Sequence, residues 1–143
     1  NNTWKDGDKR SMKVYLAGHM HSDWRNQVID ACAEGVEFLI PLPTPDRAEN
    51  GAGDPSLYMV RDLALLRQAD LIFALLDDIA RGIGVAAEIG YAYGRGVPII
   101  LVNLAPQVHS FQFLEGLATR TYSTLEEAVK ALRFATQSPR RYQ

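Results

Sequence analysis

A chain of 143 residues, 47% hydrophobic and 22% charged, is long enough to form one domain with a buried core. With a formal net charge of -2, the chain lacks the excess of basic residues found in proteins that bind polymeric nucleic acid. No apolar run reaches the roughly 18 residues that would span a membrane. The single cysteine, Cys32, has no second thiol for a disulfide and no nearby CxxC pattern for zinc, so we predict a small core residue in a cytoplasmic, reducing compartment.

Strand and helix patterns alternate along the chain and divide it into a disordered extension, one domain and a tail, at residues 1–11, 12–136 and 137–143. The run "KVYLAG" predicts a short strand that ends at Gly18. The helix after it, in "HSDWRNQVIDACAEG", has Ser22 as its predicted N-cap and ends before Gly35. "VEFLIP" is the second predicted strand.

Residues 41–55 contain four prolines and two glycines, which predicts a long loop of the kind that often covers a binding site. Asp54 and Pro55 are the predicted N-cap and first turn of a helix in "SLYMVRDLALLRQA". The apolar run "DLIFALL" predicts a strand buried on both faces, and "GVAAEIGYAYGRG" is the helix after it. A buried strand "VPIILVN", a short helix "HSFQFLEGL", an edge strand "TRTYS" and a last helix "TLEEAVKALRFAT" follow. The last helix has a predicted capping box of Ser123 and Glu126.

This alternation predicts an α/β fold, a single-domain, doubly wound parallel sheet of the Rossmann or flavodoxin type with about five strands in the order 2-1-3-4-5. Ligands of such sheets bind beyond the carboxyl ends of the strands, where the strand order reverses. The loops "AGHMHS" and "LDDIARGIG" are therefore predicted to flank one crevice. Glu88 is expected in the first turns of the helix after the third strand, pointing into that crevice from near a positive helix end.

Glu88 and Asp62 are candidates for chemistry in this crevice, because two carboxylates at one site can divide the nucleophilic and proton-handling roles. Each also has a plain interpretation. Glu88 can be a solvated acid favoured by the helix dipole, and Asp62 can be a surface charge beside Arg61. The small residues of the Glu88 helix would let a ligand or another backbone approach closely, chiefly at Gly84, Gly90 and Gly94.

The stretches "VYLAG", "RDLALLRQADLIFALLDD" and "GIGVAAEIGYAYGRGVPIILV" resemble the nucleoside 2-deoxyribosyltransferase superfamily, which includes 2'-deoxynucleoside 5'-monophosphate N-glycosidases. The resemblance covers residues 13 to about 135. Its most specific part is the pattern D-x6-A-D-x6-D followed by G-x3-E-x-G-x-A, formed here by Asp62, Ala69, Asp70, Asp77, Gly84, Glu88, Gly90 and Ala92. "AGHMHSDWR" further resembles the YtoQ-type branch, whose members can lack the glutamate that this sequence keeps.

The resemblance implies that Glu88 is a nucleophile that attacks the anomeric carbon, that Tyr15 holds or tunes it, and that Asp62 contacts the base or a sugar hydroxyl. The loops around the crevice would supply substrate contacts, and the candidates are Gly18, His19, His21, Arg25, Asp77, Arg81, Gly82, Gly84 and Ser110. Either histidine can equally be a solvated loop residue. No metal or organic cofactor is implied.

One departure from the resemblance concerns the phosphate of a monophosphate substrate. At Gly82 the transferases tend to carry an aspartate and the monophosphate glycosidases a serine, whereas glycine has no side chain to offer. Arg81 and Arg25 are candidate replacements, because a guanidinium pairs with phosphate through two hydrogen bonds. The alternative is that both arginines are exposed and only solubilise the protein. Ser110, beside His109, matches a serine that the glycosidases lend to a neighbouring subunit's site, so a homodimer or larger homo-oligomer is expected.

We therefore expect an enzyme that cleaves or transfers at the N-glycosidic bond of a nucleoside or nucleoside 5'-monophosphate. Transferases of the resembled family recruit a carboxylate or amide from a neighbour's C-terminal segment, and the basic segment "QSPRRYQ" has no acid, which favours hydrolysis. A non-catalytic nucleotide-binding or sensing module of the same fold remains an alternative, as does an enzyme acting on another ribosylated metabolite. The expected partner is a small molecule, with no role for polymeric nucleic acid or a membrane.

Overall fold

The computed structural model describes residues 11–19, 22–32, 34–41 and 55–137. Strands and helices alternate along these segments, as the sequence patterns predict. The elements are β1 Met12–Ala17, α1 Trp24–Ala31, β2 Val36–Leu39, α2 Pro55–Leu66, β3 Leu71–Leu76, α3 Ile79–Gly94, β4 Ile99–Asn103, α4 Phe111–Leu117, β5 Arg120–Tyr122 and α5 Leu125–Ala135.

The strands form one parallel sheet in the order β2-β1-β3-β4-β5, so the predicted fold class and strand order are confirmed. The chain adds strands outward from β1 first on one side and then on the other, and the order reverses between β1 and β3. In the register of these two strands Tyr15 lies beside Ile72, and Ala17 lies beside Ala74. The carboxyl ends of β1 and β3 therefore form the edge at which a ligand crevice is expected.

The side chains of each central strand alternate between two cores, which explains the continuous apolar run of β3. Ile72 and Ala74 pack on the side covered by α2, α3 and α4, whereas Phe73 packs on the side covered by α1 and α5. Every residue of β3 and β4 is buried, as expected for central strands of a parallel sheet. The same alternation places Tyr15 on the α2 and α3 side and Leu16 on the other.

The start of α3 differs from the sequence prediction. The helix begins at Ile79, five residues before the predicted start at Gly84, because Asp78 is its N-cap and accepts a hydrogen bond from the Arg81 N–H at 2.9 Å. Glu88 follows Ile79 by nine residues and lies in the third turn, so its predicted place in the first turns is wrong. The helix dipole acts mainly within the first turn and is not the main influence on this carboxyl group.

Two other predicted caps are shifted by one residue. The N-cap of α5 is Thr124, whose hydroxyl accepts a hydrogen bond from the Glu127 N–H at 3.2 Å. The predicted S/T-x-x-E pair is therefore Thr124 and Glu127 instead of Ser123 and Glu126. The N-cap of α1 is Asp23 instead of Ser22. No side-chain capping bond forms there, since the Asp23 carboxylate accepts from the side-chain amide of Asn26 at 2.6 Å.

Several predictions concern parts of the chain outside the described residues, including the extension 1–10, most of the loop 41–55 with Asp54, and the tail 138–143. The helix after that loop does begin at Pro55. The short helix α4 begins at Phe111, two residues later than predicted, and β5 pairs at the sheet edge as predicted. Within the segments that the structure describes, no helix has both the length and the apolar character needed to cross a membrane.

Candidate active site

The three residues predicted to be catalytic come together on one side of the sheet, next to the point where the strand order reverses. Tyr15 projects from β1, Asp62 from α2 and Glu88 from α3. They are close enough for Glu88 and Asp62 to influence the ionisation of Tyr15, and for Asp62 to influence that of Glu88. Tyr15 is fully buried, whereas Asp62 and Glu88 are half-buried.

Two polar atoms of this cluster are buried without a hydrogen-bond partner in the described part of the chain, Tyr15 Oη and Glu88 Oε2. The Tyr15 hydroxyl is nonetheless close enough to the Glu88 carboxyl to act on its ionisation as a hydrogen-bond donor. The interpretation of Glu88 as a solvated surface acid is wrong.

Burial is the largest cause of a shift that raises the pKa of the Glu88 carboxyl from 4.5 to about 7. The nearby Tyr15 hydroxyl lowers this pKa, the Asp62 carboxylate raises it and the Arg25 guanidinium lowers it. Burial, followed by the charge of Glu88, raises the pKa of Tyr15 far above its usual range, so the phenol stays neutral. Glu88 is therefore present in both protonation states near neutral pH, which suits a group that exchanges roles during a reaction.

Asp62 belongs both to the surface and to the cluster. Its carboxylate forms an ion pair with Arg61 at 3.2 Å, as the plain interpretation predicts. The same carboxylate acts on Tyr15 and Glu88 from the α2 side.

The loop after β1 contacts the end of β3 through the side chains of His19 and Asp77. The His19 imidazole Nε2 lies 3.0 Å from Asp77 Oδ2, and the His19 side chain is only 8% exposed, so the solvated interpretation of this histidine is wrong. Asp77 follows β3 directly, so the pair links the two strand ends between which the order reverses. His21 lies outside the described residues.

Arg81 forms ion pairs with the two acidic residues at the start of α3. Its Nη1 lies 3.1 Å from Asp77 Oδ2 and its Nε lies 3.3 Å from Asp78 Oδ2, while its side chain is 46% exposed. A phosphate at this place would meet one guanidinium and two carboxylates. Across the described ranges, no group of three or more His, Cys, Asp or Glu side chains is arranged to hold a metal ion.

Arg25 is buried, with 8% of its surface exposed, so the interpretation as an exposed solubilising residue is wrong. Its guanidinium donates to the backbone carbonyls of Leu16, Gly18 and His19. Gly18 is needed for the same packing, since a Cβ there would lie 2.6 Å from Trp24 Cζ2. Trp24 and Arg25 of α1 thus hold the carboxyl end of β1 in place.

The remaining candidates lie around α3 and α4. Gly82 is buried against α4, and a Cβ on it would lie 2.8 Å from the Phe111 ring, so this glycine makes room for a core contact. Gly84 faces open space, as do Gly90 and Gly94. Ser110 is exposed at the N-cap of α4 and makes no side-chain capping bond.

Sequence reasoning missed polar contacts made by three residues at the sheet edges. The Trp24 indole N–H donates to the His19 carbonyl at 3.0 Å. Asn103, buried at the end of β4, donates to Glu115 and accepts from the Ala105 N–H, which fixes the loop before α4. A polar residue that ends an otherwise apolar strand was the available signal. Asp70, part of the matched pattern, accepts from the Lys13 N–H at the opposite edge and is structural.

The fold and the crevice define a doubly wound α/β protein with a tyrosine and two carboxyl groups clustered at the reversal of strand order. A family model described as nucleoside 2-deoxyribosyltransferase matches residues 14–130. The chain belongs to this family, whose members are enzymes of the N-glycosidic bond.

The chain is also similar to individual proteins. The chain is 27% identical over 139 residues to the uncharacterized protein YtoQ of Bacillus subtilis (strain 168), covering 85% of this chain and 94% of that protein. A conserved protein of Enterococcus faecalis V583 is similar in structure, with 20% identity, coverage of 87% and 98% of the two chains and a TM-score of 0.68. A 2-deoxyribosyltransferase of Bacillus psychrosaccharolyticus has 19% identity, coverage of 82% and 90% and a TM-score of 0.64. The CMP N-glycosidase BcmB of Clostridium botulinum has 20% identity, coverage of 86% and 98% and a TM-score of 0.59. At these identities the solved structures support the fold alone.

Proposed function

We propose that this protein cleaves the N-glycosidic bond of a nucleoside or nucleoside 5'-monophosphate through a covalent intermediate on Glu88, with water favoured over a second base as the acceptor of the sugar. The observation that carries the proposal is the buried Glu88 Oε2, which has no hydrogen-bond partner among the described residues and lies beside the Tyr15 hydroxyl near the reversal of strand order. Family membership supplies the class of bond. The two named relatives of similar fold, a 2-deoxyribosyltransferase and a CMP N-glycosidase, motivate testing both acceptors.

In the proposed reaction the ionised Glu88 attacks the anomeric carbon of the sugar. A bond forms between a carboxylate oxygen and that carbon while the carbon–nitrogen bond to the base breaks, and its electron pair leaves with the base nitrogen. Asp62 gives a proton to the departing base nitrogen. Water then attacks the same carbon and gives a proton back to Asp62, while the bond between that carbon and the Glu88 oxygen breaks. This step releases the free sugar and restores the Glu88 carboxylate, so two displacements retain the anomeric configuration.

The Tyr15 hydroxyl supports the nucleophile in this scheme. It favours the charged form of Glu88 and stays neutral itself, so it can donate a hydrogen bond to the carboxylate once a substrate tightens the site. His19, Asp77 and Arg81 form the wall nearest the loop after β1, and we assign contacts with the sugar and its 5' substituent to this wall.

We also propose that the active unit is a homodimer or a larger homo-oligomer. The outer face of α3 exposes Ile79 and Ile83, and Gly84 and Gly90 leave open space that another chain could fill. Light scattering at micromolar concentration should give at least twice the mass of one chain. A monomer would remove Ser110 and His109 from a neighbour's site.

The proposed function is tested by a chromatographic screen of nucleosides and their 5'-monophosphates, each with and without a second free base. Release of free base and free sugar without an acceptor supports hydrolysis. Product that forms only with the second base supports transfer. Saturable binding without turnover of any candidate would favour the alternative, a nucleotide-binding or sensing module.

A further inference from the structure

The side chain of Arg25 occupies an unusual place for an arginine. It begins near the N-terminus of α1, on one face of the sheet, and its guanidinium reaches the carboxyl end of β1, where it is 8% exposed. Nε and Nη2 donate to the Leu16 carbonyl at 3.4 and 3.2 Å, Nη2 also donates to Gly18 at 2.8 Å, and Nη1 donates to His19 at 2.7 Å. Burying a guanidinium is costly unless its donors are satisfied, and here carbonyl groups at the end of β1 and in the loop after it accept from them.

Trp24 completes the arrangement from the same helix. The Arg25 guanidinium lies 4.7 Å from the centre of the Trp24 ring, and the Trp24 indole N–H donates to the His19 carbonyl, which also accepts from Arg25. Gly18 fits against the indole because it has no Cβ. Two adjacent residues of α1 therefore fix the backbone of the turn that carries His19.

The charge of Arg25 also reaches the proposed nucleophile. Burial lowers the pKa of Arg25, and the nearby Tyr15 and Glu88 side chains oppose that change. In return, Arg25 lowers the pKa of Glu88, against the raising effects of burial and of Asp62. Among the described groups that act on Glu88, namely Tyr15, Asp62 and Arg25, Arg25 is the cationic one.

We propose that Arg25 is a positioning residue of the active site and not a phosphate ligand. Its guanidinium holds the end of β1 and the loop after it through three carbonyl groups. The same guanidinium keeps a permanent positive charge near the cluster of Glu88, Asp62 and Tyr15. This inference rests on the proposed function for its effect on turnover. Its effect on the ionisation of Glu88 is independent of any reaction.

The two roles of Arg25 are separated by two variants. Arg25→Met removes the charge and the donors, whereas Arg25→Lys keeps a charge but not the planar fork that reaches three carbonyls. The ionisation of Glu88 is followed by NMR on protein with a 13C-labelled glutamate carboxyl, and the Glu88 resonance is assigned by its loss in Glu88→Gln. The pH profile of kcat/KM and the preference for a monophosphate over its nucleoside are measured alongside.

In Arg25→Met we expect the titration of Glu88 and the acid limb of the kcat/KM profile to move together to higher pH. At a pH below the midpoint of the acid limb, kcat/KM of the variant, expressed as a fraction of the variant's maximum, should be about tenfold lower than the same fraction for the parent. Arg25→Lys should titrate close to the parent but lose about tenfold in kcat/KM across the whole profile, because the turn is no longer held. The monophosphate preference should be unchanged in both variants.

Arg81→Met serves as the control for the titration alone, because Arg81 lies at the same crevice but pairs with Asp77 and Asp78. It should leave the Glu88 titration in place. An unshifted Glu88 titration in folded Arg25→Met, or a loss of monophosphate preference in Arg25→Lys, would overturn the inference. If Glu88 is not the nucleophile, its titration still shifts in Arg25→Met while the pH profile does not follow it, which separates the failure of the proposed function from the failure of this inference.

Discussion

Tyr15 and Glu88 face each other from β1 and α3, and each presents a buried polar atom that has no hydrogen-bond partner in the described residues. The two side chains meet because β-strand alternation turns Tyr15 toward α3 and because the third turn of α3 carries Glu88.

The stability of the protein should depend on pH through Glu88. Its pKa is about 7 in the folded chain against an ordinary 4.5, so the folded state holds the proton more tightly than the unfolded state. The resulting stabilisation is complete below about pH 4.5 and is lost as the pH rises through 7. The difference in the free energy of unfolding between Glu88→Gln and the parent should therefore shift in favour of the variant by about 3 kcal/mol as the pH is raised from acidic to mildly alkaline.

Urea unfolding at several pH values measures this difference. Glu37→Gln, which removes an exposed carboxyl group on β2, controls for the loss of one charge. A gap between Glu88→Gln and the parent that stays constant with pH would show that Glu88 ionises as it does in an unfolded chain.

Tyr15→Phe should change catalysis more than stability. The ring remains in the core, and the lost hydroxyl has no described hydrogen-bond partner to leave unsatisfied, so the free energy of unfolding should change by less than about 1 kcal/mol. The hydroxyl favours the charged form of Glu88, so its removal should move the acid limb of kcat/KM to higher pH and lower activity at neutral pH by about tenfold or more. An unchanged pH profile in the folded variant would exclude Tyr15 from tuning Glu88.

The layout of the sheet could be predicted from the sequence because each strand carries its own signal. The apolar run of β3, flanked by helix patterns, indicates a central parallel strand, and the order follows from right-handed connections. The first turn of α3 could not be predicted in this way. Gly82 and Gly84 lower helix propensity there, and the reason for Gly82 is a contact with Phe111, which lies 29 positions further along the chain.

The acids of the site could be predicted from topology, but their state could not. The pattern places Glu88 at the crevice, whereas the burial that raises its pKa depends on how β1, α2 and α3 pack together. Arg25 shows the same limit, because arginine is usually exposed and nothing in "SDWRN" indicates that its donors meet three carbonyls at the end of β1. The contact between the His19 and Asp77 side chains likewise joins loops that are far apart in the sequence.

Gly82→Ala should destabilise the protein by about 1–3 kcal/mol, because the new methyl group would lie 2.8 Å from the Phe111 ring in the contact between α3 and α4. Gly84→Ala is the matched control, since nothing lies within 4 Å of a Cβ there, and helix propensity should stabilise it by up to about 1 kcal/mol. Thermal or urea unfolding of both variants gives the comparison. Equal effects at the two positions would contradict the packing described here.

Arg81 should contribute to a preference for a monophosphate over its nucleoside. Its guanidinium offsets Asp77 and Asp78, which would otherwise repel a phosphate at the 5' position. In Arg81→Ala the ratio of the two kcat/KM values should fall by about tenfold or more. A parent that prefers the nucleoside, or an unchanged ratio in the variant, would exclude Arg81 as the phosphate ligand.

The most direct test of the account is the rate at which Glu88→Gln cleaves the substrate that the parent cleaves fastest. Glutamine keeps the size of the side chain but cannot form the covalent intermediate, so kcat should fall by several powers of ten while circular dichroism and substrate binding remain close to those of the parent. Turnover by purified, folded Glu88→Gln within about tenfold of the parent would contradict the assignment of Glu88 as the nucleophile.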